Sequence, residues 1–362
     1  MNFPRNLYIE NAKLEGHSDA FIENTLNYAD NLISKNLPVI FSLKHLAILT
    51  GIEFHELQSI IKSRNNNYSY YLIKKKKGGY RRIIAPHSNM KSLQKWIQIN
   101  ILDKVELSPF ATGFVKEKSI LDNAKMHENK SMILNLDLSN FFETINERRV
   151  YGIFKSLGYA SNLSVEFAKI CTASISNYRF KQLSEEEQEC FKDLYSLKES
   201  VLIQGAPTSP GISNIICRRL DHRLSKLANK FGVSYSRYAD DITISGNIGS
   251  LPHIISIRKI IEDEGFKINW DKVGKYKTGQ KQMVTGLLID EKVRIPKKFK
   301  KDIYRHLYFC KKYGVLSHFQ RVAPDKGYRK EWILGKILFV HSIEPEEAKK
   351  MMKLVEQINW EI

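Results

Sequence analysis

Apolar and polar residues alternate through VSYSRYADDITISG, residues 233–246. Val233, Tyr235 and Arg237 precede Tyr238-Ala239-Asp240-Asp241, and Ile242 and Ile244 follow it. A period of two predicts two strands joined by a tight turn. In SMILNLDLSNFFETI, residues 131–145, Met132, Ile133, Leu134, Leu136 and Leu138 crowd around Asp137, the pattern of a strand buried on both faces. Residues 65–87 combine aromatic and β-branched positions with Lys74 to Lys77, Gly78-Gly79 and Arg81-Arg82, which predicts a basic hairpin.

Most of the remainder repeats at the helical period. Residues 18–34 set Phe21, Ile22, Leu26, Ala29, Leu32 and Ile33 on one face, and 42–62 form a helix pair broken at Gly51. That pair is read as packing for the next domain, because its polar positions are not distinctly basic. Helices are further expected over 88–107, from about Ser119, over 147–176 and over 251–264. Residues 181–200, rich in Glu and Lys, predict a surface excursion. From Val201 a strand should pass through Gly205, Pro207 and Pro210 into a long amphipathic helix, and a strand pair is expected near 283–296. From Lys297 onward the pattern is helical and basic.

At 362 residues the chain is long enough for two or three subdomains around a sizeable core. A hydrophobic content of 43% with 11% aromatics excludes a disordered chain. Against 39 Asp and Glu stand 57 Lys and Arg, a net charge of +18 that points to a polyanionic partner, nucleic acid first. Cys171, Cys190, Cys217 and Cys310 are widely spaced and form no CxxC pair, which fits reduced thiols and no zinc site. No apolar signal core or membrane-length apolar run is present, so a soluble, cytoplasmic protein is expected.

The chemistry concentrates in three carboxylates on two predicted strands. Asp240 and Asp241 sit at a turn, where Asp is also favoured for local hydrogen bonding, and Asp137 ends a strand whose burial disfavours a lone charge. Brought together, they could hold two Mg2+ ions for in-line phosphoryl transfer, since hard cations take oxygen ligands. The order of strand, helices, hairpin, helix and strand fits a split βαβ arrangement of the ferredoxin-like kind.

Asp137 within LDLSNFF, Gln204 to Pro210 as QGAPTSP, and Tyr238 to Asp241 as YADD resemble the palm motifs of reverse transcriptases. Asn123 to His127 as NAxxH and Val284 to Gly286 as VTG resemble the signatures of bacterial retron enzymes. The resemblance runs from about residue 40 to the C-terminal helices. It implies an α+β right-hand polymerase fold with fingers, ferredoxin-like palm and helical thumb. The expected segments are an N-terminal helical region (1–64), fingers (65–130), palm with the 181–200 insert (131–290) and RNA-binding thumb (291–362).

By that resemblance Asp137, Asp240 and Asp241 are the catalytic metal ligands, with the backbone of Leu138, for two Mg2+. Phe142 is the steric gate under the incoming sugar. Arg82, with Lys77 or Arg81 beside it, grips the triphosphate of a dNTP, and Gln204, Gly205 and Ala206 line the nucleotide pocket. Lys272 is a candidate general acid for the pyrophosphate, or equally a solvated lysine. RNA and primer contacts are expected from Asn123, His127, Val284, Thr285 and Gly286, and from the thumb at Lys297, Lys298, Lys301 and Arg305. Tyr304, Tyr308 and Phe309 either stack on bases or belong to the core.

The implied function is copying of a cognate structured noncoding RNA into single-stranded DNA. Synthesis would be primed from an internal 2′-OH to give a branched RNA–DNA hybrid, in antiphage defence with a separately encoded effector. An abortive-infection or group II intron-like reverse transcriptase, or a non-catalytic RNA-binding scaffold, remains the alternative.

Overall fold

The computed structural model describes residues 3–75, 78–324 and 327–360. Lys77, one of the two residues expected beside Arg82, lies outside them. The chain forms two compact units: one holds the residues up to Phe114 with Leu138–His222 and Arg258–Lys267, the other Val115–Asp137, Arg223–Ile257 and the residues from Ile268 on. These units cut across the four segments expected from the sequence, with residues 131–290 shared between them.

In the first unit β1 (Tyr68–Lys74) and β2 (Tyr80–Pro86) form the expected antiparallel hairpin, Tyr68 opposite Pro86 and Lys74 opposite Tyr80. The remainder is helical. Helix Asp19–Ser34, capped by Ser18, buries Ile22, Leu26, Ala29 and Leu32. Phe21 and Ile33, assigned to the same face, are exposed, so the apolar stripe is narrower than predicted. The pair Leu43–Thr50 and Phe54–Lys62 turns at Gly51, whose φ of +70° favours glycine. Its buried Leu46, Leu57, Ile60 and Ile61 fit the packing role.

Several boundaries differ from the expectation. The helix expected over 88–107 is Ser88–Asn100 followed by a 3-10 turn, Leu102–Lys104. The segment 147–176 holds two helices, Glu147–Leu157 and Ser161–Cys171, the first ended by Gly158 at φ +111°. At 201 there is no strand, only isolated bridges from Val201 to Asn146 and to Ala173. The long helix beyond it is divided into Ser209–Ile216 and Arg218–Lys230.

The 181–200 insert is more than a surface excursion. Its helix Glu185–Ser196 starts in a Ser184–Glu187 capping box and buries Phe191 and Leu194. Phe191 meets Tyr70 of β1 edge-on at 5.5 Å. Two apolar residues one turn apart suffice to dock an otherwise charged helix, too little periodicity to stand out in sequence.

The second unit is built on a four-stranded antiparallel sheet in the order β4-β5-β3-β6. Its strands are β3 (Met132–Asp137), β4 (Ser234–Tyr238), β5 (Asp241–Gly246) and β6 (Gly274–Lys277). This is the ferredoxin-like order: the first strand lies inside, beside the third. β6 had no clear sequence signal; it pairs with β3 from Met132–Lys277 to Asn135–Gly274. A small hairpin follows, β7 (Met283–Val284) and β8 (Leu287–Leu288).

The C-terminal part is helical: Lys297–Tyr313, Val315–Val322, Arg329–His341 and Pro345–Val355. Ile133 of β3, Val284 and Leu287 share one core with Ile303, Leu307, Phe319, Ile337 and Met351 from these helices. At about 1.5–3 kcal/mol for each large apolar side chain buried, this core ties the interior strand β3 and the β7–β8 hairpin to the helices. Phe309 is half-buried, stacked on His318 and Tyr313, and Tyr308 is exposed. Among the described residues no helix is long and apolar enough to cross a membrane.

Candidate active site

Register places the carboxylates. Asp137 ends β3 directly opposite Asp241, which begins β5, and directly opposed residues of an antiparallel pair have Cβ atoms about 4.5–5.5 Å apart. Tyr238 pairs with Asp241, so Ala239 and Asp240 form a two-residue hairpin turn. Ala239 adopts φ +56°, which an L-residue enters only against resistance.

What holds that turn is Arg237, fully buried, which donates from Nη1 to the Ala239 carbonyl at 3.0 Å. By the alternation of strands, Arg237 shares a sheet face with Tyr235, Ile242 and Ile244, opposite to that of Asp241. The guanidinium therefore braces the carboxylate turn from behind. Its position beside Val233 and Tyr235 in the alternating pattern was the only signal of its burial.

Asp137 is 6% exposed. Its Oδ1 accepts from Lys272 Nζ at 2.7 Å, its Oδ2 from Asn269 Nδ2 at 3.2 Å, and its carbonyl from Asn269 N at 2.8 Å. Burial and the Asp240 and Asp137 carboxylates push Asp241 up to about 7, against the pull of Lys272. Asp241 nonetheless keeps contact with solvent. Burial works against the charge on Lys272, but its bond to Asp137 and the field of all three carboxylates outweigh this and raise its pKa. The ammonium stays protonated.

Among the described residues no three His, Cys, Asp or Glu side chains close into a preformed metal cage. The donor set still suits a hard divalent cation. Burial and the mutual repulsion of the three carboxylates both favour the protonated form of Asp241, and an ammonium already sits against Asp137. A divalent ion would relieve that repulsion more fully than one lysine does.

The expected nucleotide-pocket residues, Lys272 aside, all lie in the first unit. Arg82 on β2 donates to Glu143 Oε1 at 3.1 Å and to the Cys190 carbonyl at 3.3 Å. The docked 181–200 helix thus positions the arginine. Arg81 is exposed. Ile84 N donates to the Gln204 carbonyl at 2.8 Å, joining β2 to QGAPTSP. Gly205, at φ +127°, packs so closely that a Cβ would lie 2.6 Å from the Ile84 carbonyl oxygen. Ala206 is buried and Gln204 half-buried. Of the aromatic pair, Phe141 is buried against Phe266, while Phe142 keeps an open face. Glu143 was not singled out in the sequence; it follows Phe142 directly.

Three expected RNA contacts need correction. Asn123, His127 and Val284 are at most 2% exposed, so their side chains cannot meet RNA directly. His127 bridges the carboxylate hairpin, with Nδ1 2.7 Å from Ser245 Oγ and Nε2 2.7 Å from Ser236 Oγ. Burial and nearby Lys130 push its pKa down to about 3, so the ring is neutral and donates through one nitrogen only. The VTG stretch is the β7–β8 turn, Thr285 and Gly286 both at positive φ, as a tight two-residue hairpin requires.

The two signatures meet: Thr285 Oγ1 donates to the Ile120 carbonyl at 3.2 Å, on the helix that leads into His127. Asn129 N donates to the Asp290 carbonyl at 3.2 Å, and Glu128 accepts from Val293 N at 2.8 Å. The segments that carry NAxxH and VTG thus form one clasp on the Asp241 face of the carboxylate hairpin, opposite Arg237. Gly286, Lys297, Lys298, Lys301 and Arg305 are exposed, Arg305 in an ion pair with Asp302.

Comparison with known proteins identifies the family. The family described as reverse transcriptase (RNA-dependent DNA polymerase) matches residues 73–285. The retron Ec86 reverse transcriptase of Escherichia coli is 33% identical over 331 residues, covering 89% of this chain and 91% of that protein. The retron Ec73 enzyme of the same species is 30% identical over 304 residues (80% and 87%). The retron Mx65 enzyme of Myxococcus xanthus is 29% identical over 310 residues (85% and 69%). Among solved structures, telomerase from Candida albicans aligns at 12% identity with a TM-score of 0.45 over 80% of this chain and 63% of that one. That likeness is too loose to add to the assignment. With a family match over more than half its length and retron relatives along nearly all of it, the chain belongs to the reverse transcriptases, RNA-directed DNA polymerases, of the retron type.

Proposed function

We propose that the enzyme copies part of its cognate structured noncoding RNA into single-stranded DNA, starting from the 2′-OH of an internal guanosine and leaving RNA and DNA joined at a branch. Membership among retron enzymes supports the product. The observation that supports the catalytic reading is the register that sets Asp137 opposite Asp241 across β3 and β5, with Asp240 in the adjoining turn.

Asp137, Asp240 and Asp241, with the Leu138 carbonyl, would hold two Mg2+. Bound there, the ions supply Lewis acidity to the attacking hydroxyl and the departing pyrophosphate. The other roles belong to side chains. Lys272, kept protonated beside Asp137, gives a proton to the pyrophosphate. Arg82 and Arg81 hold the triphosphate by paired hydrogen bonds. Phe142 lies under the sugar and excludes a 2′-OH, while Gln204, Gly205 and Ala206 line the base side. In the cell we place the enzyme in the cytoplasm, in antiphage defence with a separately encoded effector, on kinship alone.

The test is to purify the protein expressed with its flanking DNA, treat with RNase and run the nucleic acid on a denaturing gel. One discrete short DNA that shifts on debranching, and is absent from the Asp240→Ala/Asp241→Ala variant, is expected. Heterogeneous DNA from any supplied primer would point to a general reverse transcriptase. Bound RNA with no DNA would favour a scaffold.

A further inference from the structure

The four-stranded sheet has a second charged end. Six residues before Asp137, on the order of 20 Å back along β3 at about 3.3 Å per residue, the strand starts beside a cleft of about 670 Å3. The cleft is formed by residues 129–131, the loop after β6 and the chain between Leu288 and Lys300. Five cationic side chains line it, Lys130, Lys281, Arg294, Lys297 and Lys300, against two acidic ones, Asp290 and Glu291.

Lys300 is neutralised by Glu344 at 2.6 Å. The other four cations form no ion pair among the described residues, whereas Lys272, Arg82 and Lys336 pair with Asp137, Glu143 and Asp302. Unpaired like charges around one depression repel one another, and a polyanion removes that repulsion.

The helix at the cleft carries the same sign independently. A helix N-terminus has a partial positive charge and favours acidic side chains in its first turn. Helix Lys297–Tyr313 has no acidic residue there and opens with Lys297, Lys298, Lys300 and Lys301. Lysines at the positive end work against helix stability, an arrangement that suits an anionic partner.

We infer that this cleft binds the sugar-phosphate backbone of RNA, as a grip remote from the carboxylates. The identity of the anion as RNA rests on the function proposed above; the cleft and its unpaired cations do not. A phosphate held on the order of 20 Å from Asp137 is not the reacting one, so a nucleoside triphosphate is the wrong occupant. The grip would keep the folded part of the RNA in place while the copied part advances.

Lys281 and Arg294 are exposed and outside the catalytic machinery, so the full-length Lys281→Ala/Arg294→Ala and Lys281→Glu/Arg294→Glu variants test the site without threatening the fold. The probe is a fluorescein-labelled RNA hairpin with a single-stranded tail, its Kd read by anisotropy across a potassium chloride series. The alanine pair should weaken binding about tenfold near physiological salt and make log Kd less steep in log salt, by roughly 0.7–0.9 for each phosphate no longer neutralised. The charge-reversed pair should weaken it further. DNA synthesis on a saturating supplied primer–template should stay within about twofold. Unchanged Kd and slope in the charge-reversed pair overturn the site, as does weaker binding of ATP with RNA binding intact. A wild-type protein that binds the hairpin but makes no DNA counts against the polymerase reading and leaves the site standing.

Discussion

The two ends of one sheet face opposite electrostatic problems. At one, Asp137, Asp240 and Asp241 crowd together with Lys272 as their cation. At the other, four cations that have no carboxylate partner among the described residues surround a cleft, and His127 lies buried next to Lys130. Burial, reinforced at each end by like charge, pushes the titratable group toward neutrality: Asp241 up to about 7 and His127 down to about 3. The difference lies in what balances the charge. The carboxylate end is braced by donors, the buried Arg237 behind and the half-buried Asn269 beside it, so its geometry is set before any ligand arrives. The cationic end has little such bracing, and its side chains can follow a flexible polyanion.

The largest effect should come from breaking the carboxylate end. The Asp240→Ala/Asp241→Ala variant should lose DNA synthesis by at least about a thousandfold, the scale expected when a metal clamp is removed. RNA affinity should hold within about twofold, because the cationic end is untouched. Primer extension and anisotropy on one preparation measure both, and retained synthesis would sink the metal assignment.

Removing the brace comes next. Arg237→Met leaves the Ala239 carbonyl without its donor, and a buried unsatisfied polar group costs about 1–3 kcal/mol. The expected result is a lower Tm and a kcat reduced by tens of fold, with RNA affinity unchanged. A kcat equal to wild type would mean that Ala239 holds its conformation unaided. At the nucleotide residues, Gly205→Ala would drive a Cβ to 2.6 Å from the Ile84 carbonyl oxygen. We expect the KM for dNTPs to rise about tenfold, on the order of 1.4 kcal/mol in binding, with RNA binding unaltered.

The smallest effects separate the ends by pH. The unfolded chain protonates His127 near 6.5 and the folded protein only near 3, so the unfolded state binds the extra proton between them. Stability from this residue is therefore lost as pH falls from about 6.5 toward 3, and His127→Gln should flatten that part of a Tm–pH curve. Asp241 runs the other way. Without metal the folded protein keeps a proton up to about 7 that the unfolded chain releases near 3.8, so stability falls as pH rises through that window. Asp241→Asn should abolish this slope. If both variants leave the curve unchanged, the contrast between the ends is not electrostatic.

Much of this was legible in the residues. The period of two around YADD gave both strands of the hairpin, and the apolar run around Asp137 gave the strand opposite, because strand burial writes itself directly into side-chain alternation. Family motifs pointed to the carboxylates, the nucleotide residues and the two retron signatures. Local pattern fared worse where few residues carry the packing. β6 had too little apolar content to register, and helix Glu185–Ser196 docks through Phe191 and Leu194 alone.

By itself the sequence determined the family, the strands that carry Asp137, Asp240 and Asp241 as candidate ligands, and the net positive charge, all properties of local pattern or composition. Only the tertiary structure decided which side chains share a space. It put Asp137 opposite Asp241, Lys272 on Asp137 and Arg237 under Ala239. It also buried Asn123, His127 and Val284, expected at an RNA surface, within a clasp of the two signature segments. Burial and pairing depend on residues more than a hundred positions apart, as His127 and Ser245 are, and no local pattern encodes which of those will meet.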